Sequence, residues 1–132
     1  MAVDLGAKRI GVAVSESGIL ATPHSVLRNE GDVIGELAAL AERLDARTIV
    51  VGVPRRAYAD PREVRFHEFA ERLRQKTCRE VVLWDEALTT VEAAERLRDA
   101  GRSRRDAQRD IDMAAAAVIL QSYLDEKYRR QS

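Results

Sequence analysis

Two short runs constrain this chain more than any other feature. Residues 48–53 (TIVVGV) and 80–84 (EVVLW) are β-branched and almost continuously apolar. Strands covered on both faces look like this, as in a parallel sheet. Between them Phe66, Phe69, Ala70 and Leu73 form a stripe at helical spacing. Asp60-Pro61 supplies an N-cap and a proline suited to the first helical turn. Strand, helix and strand in this order make a parallel crossover, so the chain is expected to be an α/β protein.

The N-terminal third reads differently. Val3 and Leu5 point to one face, and Ala2, Asp4 and Gly6 to the other. After a turn at Gly6-Ala7-Lys8 the alternation resumes, with Ile10, Val12 and Val14 against Gly11, Ala13 and Ser15. This predicts an antiparallel hairpin. Gly18 marks a second turn, and a third strand is expected within residues 19–26, held to an edge by Pro23. Val33, Ile34, Leu37, Ala41 and Leu44 then predict an amphipathic helix from Asp32 to about Leu44. Downstream, Thr89 and Glu92 fit a capping box for a helix ending near Gly101. Ser103 and Asp106 open a long alanine-rich helix to about Lys127. The predicted architecture is one α/β domain over residues 1–132, a mixed five-stranded sheet with helices on both faces. Its three antiparallel strands lead into two parallel ones. A chain of 132 residues is expected to bury one core, with no room within it for a separate substrate domain.

Composition narrows the function classes. Charged residues make up 33% and hydrophobic residues 45%, which excludes a disordered chain. The 22 Lys+Arg balance the 22 Asp+Glu, so a nucleic-acid surface would have to be local rather than global. The single cysteine, Cys78, excludes an internal disulfide and a cysteine-based zinc site. No signal peptide or membrane-spanning apolar run is apparent, so the expected location is the cytoplasm.

The carboxylates carry the chemistry. Asp4 stands within an apolar strand, where a charge is costly unless compensated, and its face neighbours Ala2 and Gly6 leave room for a ligand. Asp85 and Glu86 follow a buried strand, at the end where open α/β sheets bind ligands. A third acid must come from Asp106, Asp110 and Asp112. With Ile111, Ala115, Val118 and Ser122 as the buried stripe, Asp112 lies about 60° from its centre and Asp110 about 140° away. That aims Asp112 along the margin of the buried face and Asp110 at solvent. Converging carboxylates repel unless a cation lies between them, and hard oxygen donors favour Mg²⁺ or Mn²⁺. Two such ions about 3.5–4 Å apart suit in-line phosphoryl displacement.

Four segments then resemble one family. Residues 4–13 (DLGAKRIGVA) resemble the opening strand-turn-strand of the YqgF family, also called RuvX. Residues 50–54 (VVGVP), residues 85–90 (DEALTT) and Ile111-Asp112 before the alanine run are similar to its other signatures, in the same order. The resemblance implies an RNase H-like fold related to Holliday junction resolvases. It further implies a nuclease that processes the 5′ end of pre-16S ribosomal RNA in ribosome biogenesis, with junction resolution as an older proposal for the family. By position it makes Asp4, Glu86 and Asp112 the metal-binding acids, with Asp85 as the alternative to Glu86. Two features depart from the family pattern. The loop 55–60 (RRAYAD) replaces one usually rich in Asn, Asp, Gly and Ser, which bears on substrate preference. Only three residues precede Asp4, which predicts a short first strand.

The expected binding surface is basic. Lys8 and Arg9 adjoin Asp4, Arg55, Arg56 and Tyr58 follow the central strand, and Arg102, Arg104, Arg105 and Arg109 cluster where the last helix begins. If these border one cleft they hold phosphates while Tyr58 stacks on an unpaired base. The expected partners are structured or single-stranded RNA, branched DNA and pre-ribosomal particles. The expected state is a monomer or homodimer without membrane contact. His24 and His67 have no ligand-spaced companions, and His67 reads as a surface or boundary residue. Cys78 reads as a small buried hydrophobe and Trp84 as strand core. Two other readings exist: a non-catalytic RNA-binding module of ribosome assembly, and an actin-like ATP-binding fold suggested by the D-x-G-x-x-x-x-G opening. The second needs two domains.

Overall fold

The structure is a computed structural model that describes residues 1–54, 62–86 and 104–131, with side chains for 1–53, 64–84 and 109–130. Three consecutive strands are followed by helix, strand, helix, strand and a last described helix. The strands are β1 (Ala2–Leu5), β2 (Arg9–Val14), β3 (Thr22–Arg28), β4 (Thr48–Pro54) and β5 (Glu80–Glu86). The helices are α1 (Val33–Arg43), α2 (Arg62–Thr77) and α3 (Arg104–Gln131). The sheet order is β3-β2-β1-β4-β5. β1 pairs antiparallel with β2, and β2 with β3, while β1–β4 and β4–β5 are parallel. The mixed α/β sheet expected from the two apolar runs and the hairpin is therefore present, and it is consistent with an RNase H-like fold. The helix expected at residues 89–101 lies outside the described residues, as does the cap at Asp60-Pro61.

Period-two alternation divides the sheet into two faces. Val3, Leu5, Ile10, Val12, Ile49, Val51 and Val53 pack with α1 and α2 in the larger core. Ala2, Ala13 and Val50 pack on the opposite face with Ala116, Ile119 and Leu120 of α3. The small residues there let the helix backbone approach the sheet closely. Asp32 caps α1, its Oδ1 accepting from the Gly35 N–H at 3.1 Å. Trp84 sits in the smaller core, its ring edge-on to Tyr123 at 5.4 Å, and its Nε1 donates to Ser122 Oγ at 3.1 Å. This is strand packing, as expected.

Several local expectations are corrected. The third strand begins at Thr22 rather than Ile19. Ser17 Oγ accepts from the N–H groups of both Ile19 and Leu20, and Gly18 turns with φ +77°. The hydroxyl thus occupies donors that a strand would need, and the two apolar side chains stand exposed. Pro23 does lie on an edge strand, beside a register shift between Val12 and Ala13. β5 ends at Asp85-Glu86, as the sequence indicates, with β4 in register alongside as far as Pro54. Cys78 is exposed rather than buried. It closes α2 in a left-handed conformation (φ 55°), its N–H donating to Arg74 O at 2.9 Å, which leaves the side chain in solvent rather than in the core.

Candidate metal centre and nucleic-acid interface

Asp4 is placed by the sheet. Gly11 of β2 lies in register on one side of it and Gly52 of β4 on the other. Residues directly opposite across a ladder share a face, and the glycines identify which one. A Cβ on Gly11 would collide with the backbone carbonyl oxygen of Asp112, and one on Gly52 with the tip of Ile119. Asp4 therefore belongs to the α3 face, half-buried, between two positions where the sheet carries no side chain. Along its own strand the small neighbours are Ala2 and Gly6, as the sequence indicates. The decisive ones are lateral, and they come from strands seven and forty-eight positions away in numbering.

Asp112 meets Asp4's end of the sheet because α3 presses onto Gly11 there. Its side chain is 18% exposed. The helix buries Ala115, Ala116, Ile119 and Leu120, not the stripe through Val118 and Ser122 expected from the sequence. Asp112 stands one turn before Ala115 and Ala116, so its place on the margin of the buried face holds. Asp110 does not point to solvent as expected. It is half-buried, with Oδ2 shielded from water. An angular count measures direction toward one sheet only and ignores what covers the helix flank.

Arg9 opens β2 on the same face as Gly11, two residues on. Its Nε donates to Asp112 Oδ2 at 2.8 Å, across 103 positions of sequence. Arg28 of β3 is in register with Arg9 and is exposed. Arg28 is not among the basic residues that the sequence singles out, because the turn and bulge between the strands hide its register. Lys8 and Arg109 are exposed. The turn that carries Lys8 is tied to the end of β3 by Asn29, whose N–H donates to Lys8 O at 2.9 Å and whose Nδ2 donates to Gly6 O at 2.8 Å. Arg55, Arg56, Tyr58 and Arg102 lie outside the described residues. Arg104 and Arg105 stand in the first turn of α3 with side chains outside that description.

Asp85 and Glu86 are fixed by backbone register, opposite Val53 and Pro54. Among the described residues, no three His, Cys, Asp or Glu side chains come together as a metal group. The side chains of Asp85 and Glu86 fall outside that set. The described donors at this end, Asp4 and Asp112, are carboxylates on one face, a hard-oxygen pair that fits Mg²⁺ or Mn²⁺ rather than a softer metal. A separate groove of about 520 Å³, lined by Met1, Val14, Tyr123, Leu124 and Lys127 among others, lies at the far end of the sheet. Among the described residues no helix is long and apolar enough to cross a membrane.

A mixed sheet of this order, with Asp4 and Asp112 on one face under a closely packed helix, is consistent with an RNase H-like domain. The family model described as RuvX, Holliday junction resolvase, matches residues 1–126, and the chain belongs to this family. Membership makes it a hydrolase of phosphodiester bonds. A protein of Mycobacterium tuberculosis is 44% identical over 135 residues, covering 96% of this chain and 78% of its own length. One from Geobacillus kaustophilus is 41% identical, covering 96% and 97%. One from Nocardia farcinica is 40% identical, covering 96% and 77%. Each bears the name "Putative pre-16S rRNA nuclease". With the match spanning residues 1–126, the ATP-binding likeness of the opening is confined to one motif.

Proposed function

We propose that this chain is a divalent-metal-dependent nuclease of the cytoplasm that trims the 5′ end of pre-16S ribosomal RNA, acting on pre-ribosomal particles. Branched DNA is a second substrate class. The observation that carries the reading is the convergence of Asp4 and Asp112 on one face, where Gly11 lets the helix backbone touch the sheet. Glu86 completes the acid set. It shares the strand parity of Trp84, which reaches α3, whereas Asp85 shares that of Leu83, which packs against the larger core on the other face.

In this reading Asp4, Glu86 and Asp112 would hold Mg²⁺ or Mn²⁺. When bound, the metal supplies Lewis acidity that activates water and stabilises charge on the phosphoryl oxygens. Arg28 and Arg109, with Lys8, line the approach and hold flanking phosphates, which orients the scissile bond. Arg55, Arg56, Tyr58, Arg102, Arg104 and Arg105 extend that surface.

The test compares wild type, Asp4→Asn and Asp112→Asn on a pre-16S RNA fragment, single-stranded RNA, single-stranded DNA and a four-way junction, with Mg²⁺ or Mn²⁺. Both variants should lose cleavage and keep their thermal melts, since an amide keeps the shape of the carboxylate. Metal-dependent cleavage by a clean Asp4→Asn preparation would refute the assignment. RNA binding without turnover in wild type would instead favour an assembly module.

A further inference from the structure

Arg9 lies among the residues expected to bind phosphate, yet the structure joins it to an acid of the proposed metal set. Its Nε donates to Asp112 Oδ2 at 2.8 Å, a charge-assisted bond. The two partners differ in freedom. The Asp112 side chain is 18% exposed, and its backbone is pressed against Gly11, so the carboxylate stays where it is. The Arg9 side chain is 43% exposed and opens β2 at the rim, so the guanidinium has a route to solvent. Pairs with one partner this exposed are weak and readily exchanged.

A lone pair of Oδ2 that holds a guanidinium is not available to a divalent ion, and the two positive charges repel at that distance. Arg9 also faces Arg28 across the β2–β3 ladder, a like-charge neighbour only partly offset by the exposed Glu30 carboxylate 3.9 Å from the Arg28 guanidinium. We propose that Arg9 is a displaceable counter-cation for Asp112. It neutralises the carboxylate in the cation-free protein, yields to a divalent ion, and then takes a phosphate oxygen of the nucleic acid. Ion binding and nucleic-acid binding thus strengthen each other, and by linkage the coupling is reciprocal. This rests on the reading of Asp112 as a metal ligand.

The test reads binding rather than cleavage. Mn²⁺ is titrated by calorimetry into wild type, Arg9→Gln, Arg9→Lys and Asp112→Asn without nucleic acid, each checked for fold by circular dichroism. Arg9→Gln should bind Mn²⁺ about two- to fivefold more tightly than wild type, the range set by losing one weak competing ion pair. Arg9→Lys, which keeps the charge, should fall between them. Ca²⁺ should then tighten binding of a labelled RNA hairpin to wild type but not to Arg9→Gln. Weaker or unchanged Mn²⁺ affinity in Arg9→Gln overturns the proposal, because a residue that merely positions Asp112 would lower affinity when removed. Wild-type Mn²⁺ affinity in Asp112→Asn is a different failure, one that removes the metal-ligand reading beneath it.

Discussion

Substituting Gly11 by Ala probes the link between packing and chemistry most directly. The added Cβ would meet the carbonyl oxygen of Asp112 and would stand 2.6 Å from the carbonyl carbon, where ordinary contact begins at 3.4 Å. Both obstacles are backbone, so no rotamer relieves them. α3 must lift by at least about 0.8 Å at Asp112 to clear the carbon, and further to clear the nearer oxygen, or the hairpin must sink by as much. Overpacking of this kind costs about 1–3 kcal/mol. Replacing a strand glycine by alanine returns about 0.5–1 kcal/mol of conformational entropy. The expected net loss of up to about 2.5 kcal/mol lowers Tm by up to about 10 °C in a domain of this size. Activity should suffer more, by about 100-fold, because a shift near 1 Å at a reacting centre has that effect. Gly52→Ala is the control. Its Cβ meets the tip of the Ile119 side chain, which rotates at a cost in stability while Asp112 keeps its place. Thermal melts and single-turnover cleavage of RNA are measured on both. Wild-type melting and cleavage in Gly11→Ala, or equal cleavage losses in the two variants, would show that this contact does not set the position of Asp112.

Other perturbations test other parts of the structure. Gln121→Ala removes two bonds that pin the β2–β3 turn to α3, from Ala21 N–H to Oε1 at 2.9 Å and from Nε2 to Ile19 O at 2.8 Å. It should cost about 1–2 kcal/mol and speed amide exchange at Ala21, whereas unchanged exchange there would show the turn is held by its own bonds to Ser15 and Ser17. Burial lowers the Met1 amine, which donates to Thr48 O, from 8.0 to about 6. Between those values the unfolded chain binds more protons than the folded one, so stability of the 132-residue polypeptide rises with pH across the window. The gain is about 2–3 kcal/mol, complete above pH 8 and lost as pH falls to 6. Urea melts at both ends of the window check this, and acetylating the amine should flatten the difference. Arg28→Ala should reduce the slope of log affinity for single-stranded RNA against log salt by about 0.7, one phosphate contact. An unchanged slope would remove Arg28 from the interface.

Much of this protein is determined by periodicities that any short window of the chain carries. Alternation in residues 2–14 and the apolar runs at 48–53 and 80–84 specify strands, their faces and the parallel crossover. The same alternation already puts Asp4 opposite Val3 and Leu5, and the motif order points to Asp112. Tertiary structure decided what lies beside these acids. Gly11 and Gly52 become neighbours of Asp4 only when β2 and β4 pair with β1 in register. Arg9 reaches Asp112 only when α3 crosses that face, 103 residues later. The start of β3 turned on a single hydroxyl, Ser17 Oγ, competing for two backbone donors, and the shielding of Asp110 on surroundings that a helical count does not include. A period reports which way a side chain points. What it meets there depends on registers and approaches set by residues far off in the chain, and that is why the faces of Asp4 and Asp112 were legible in the sequence while the pairing of Arg9 with Asp112 was not.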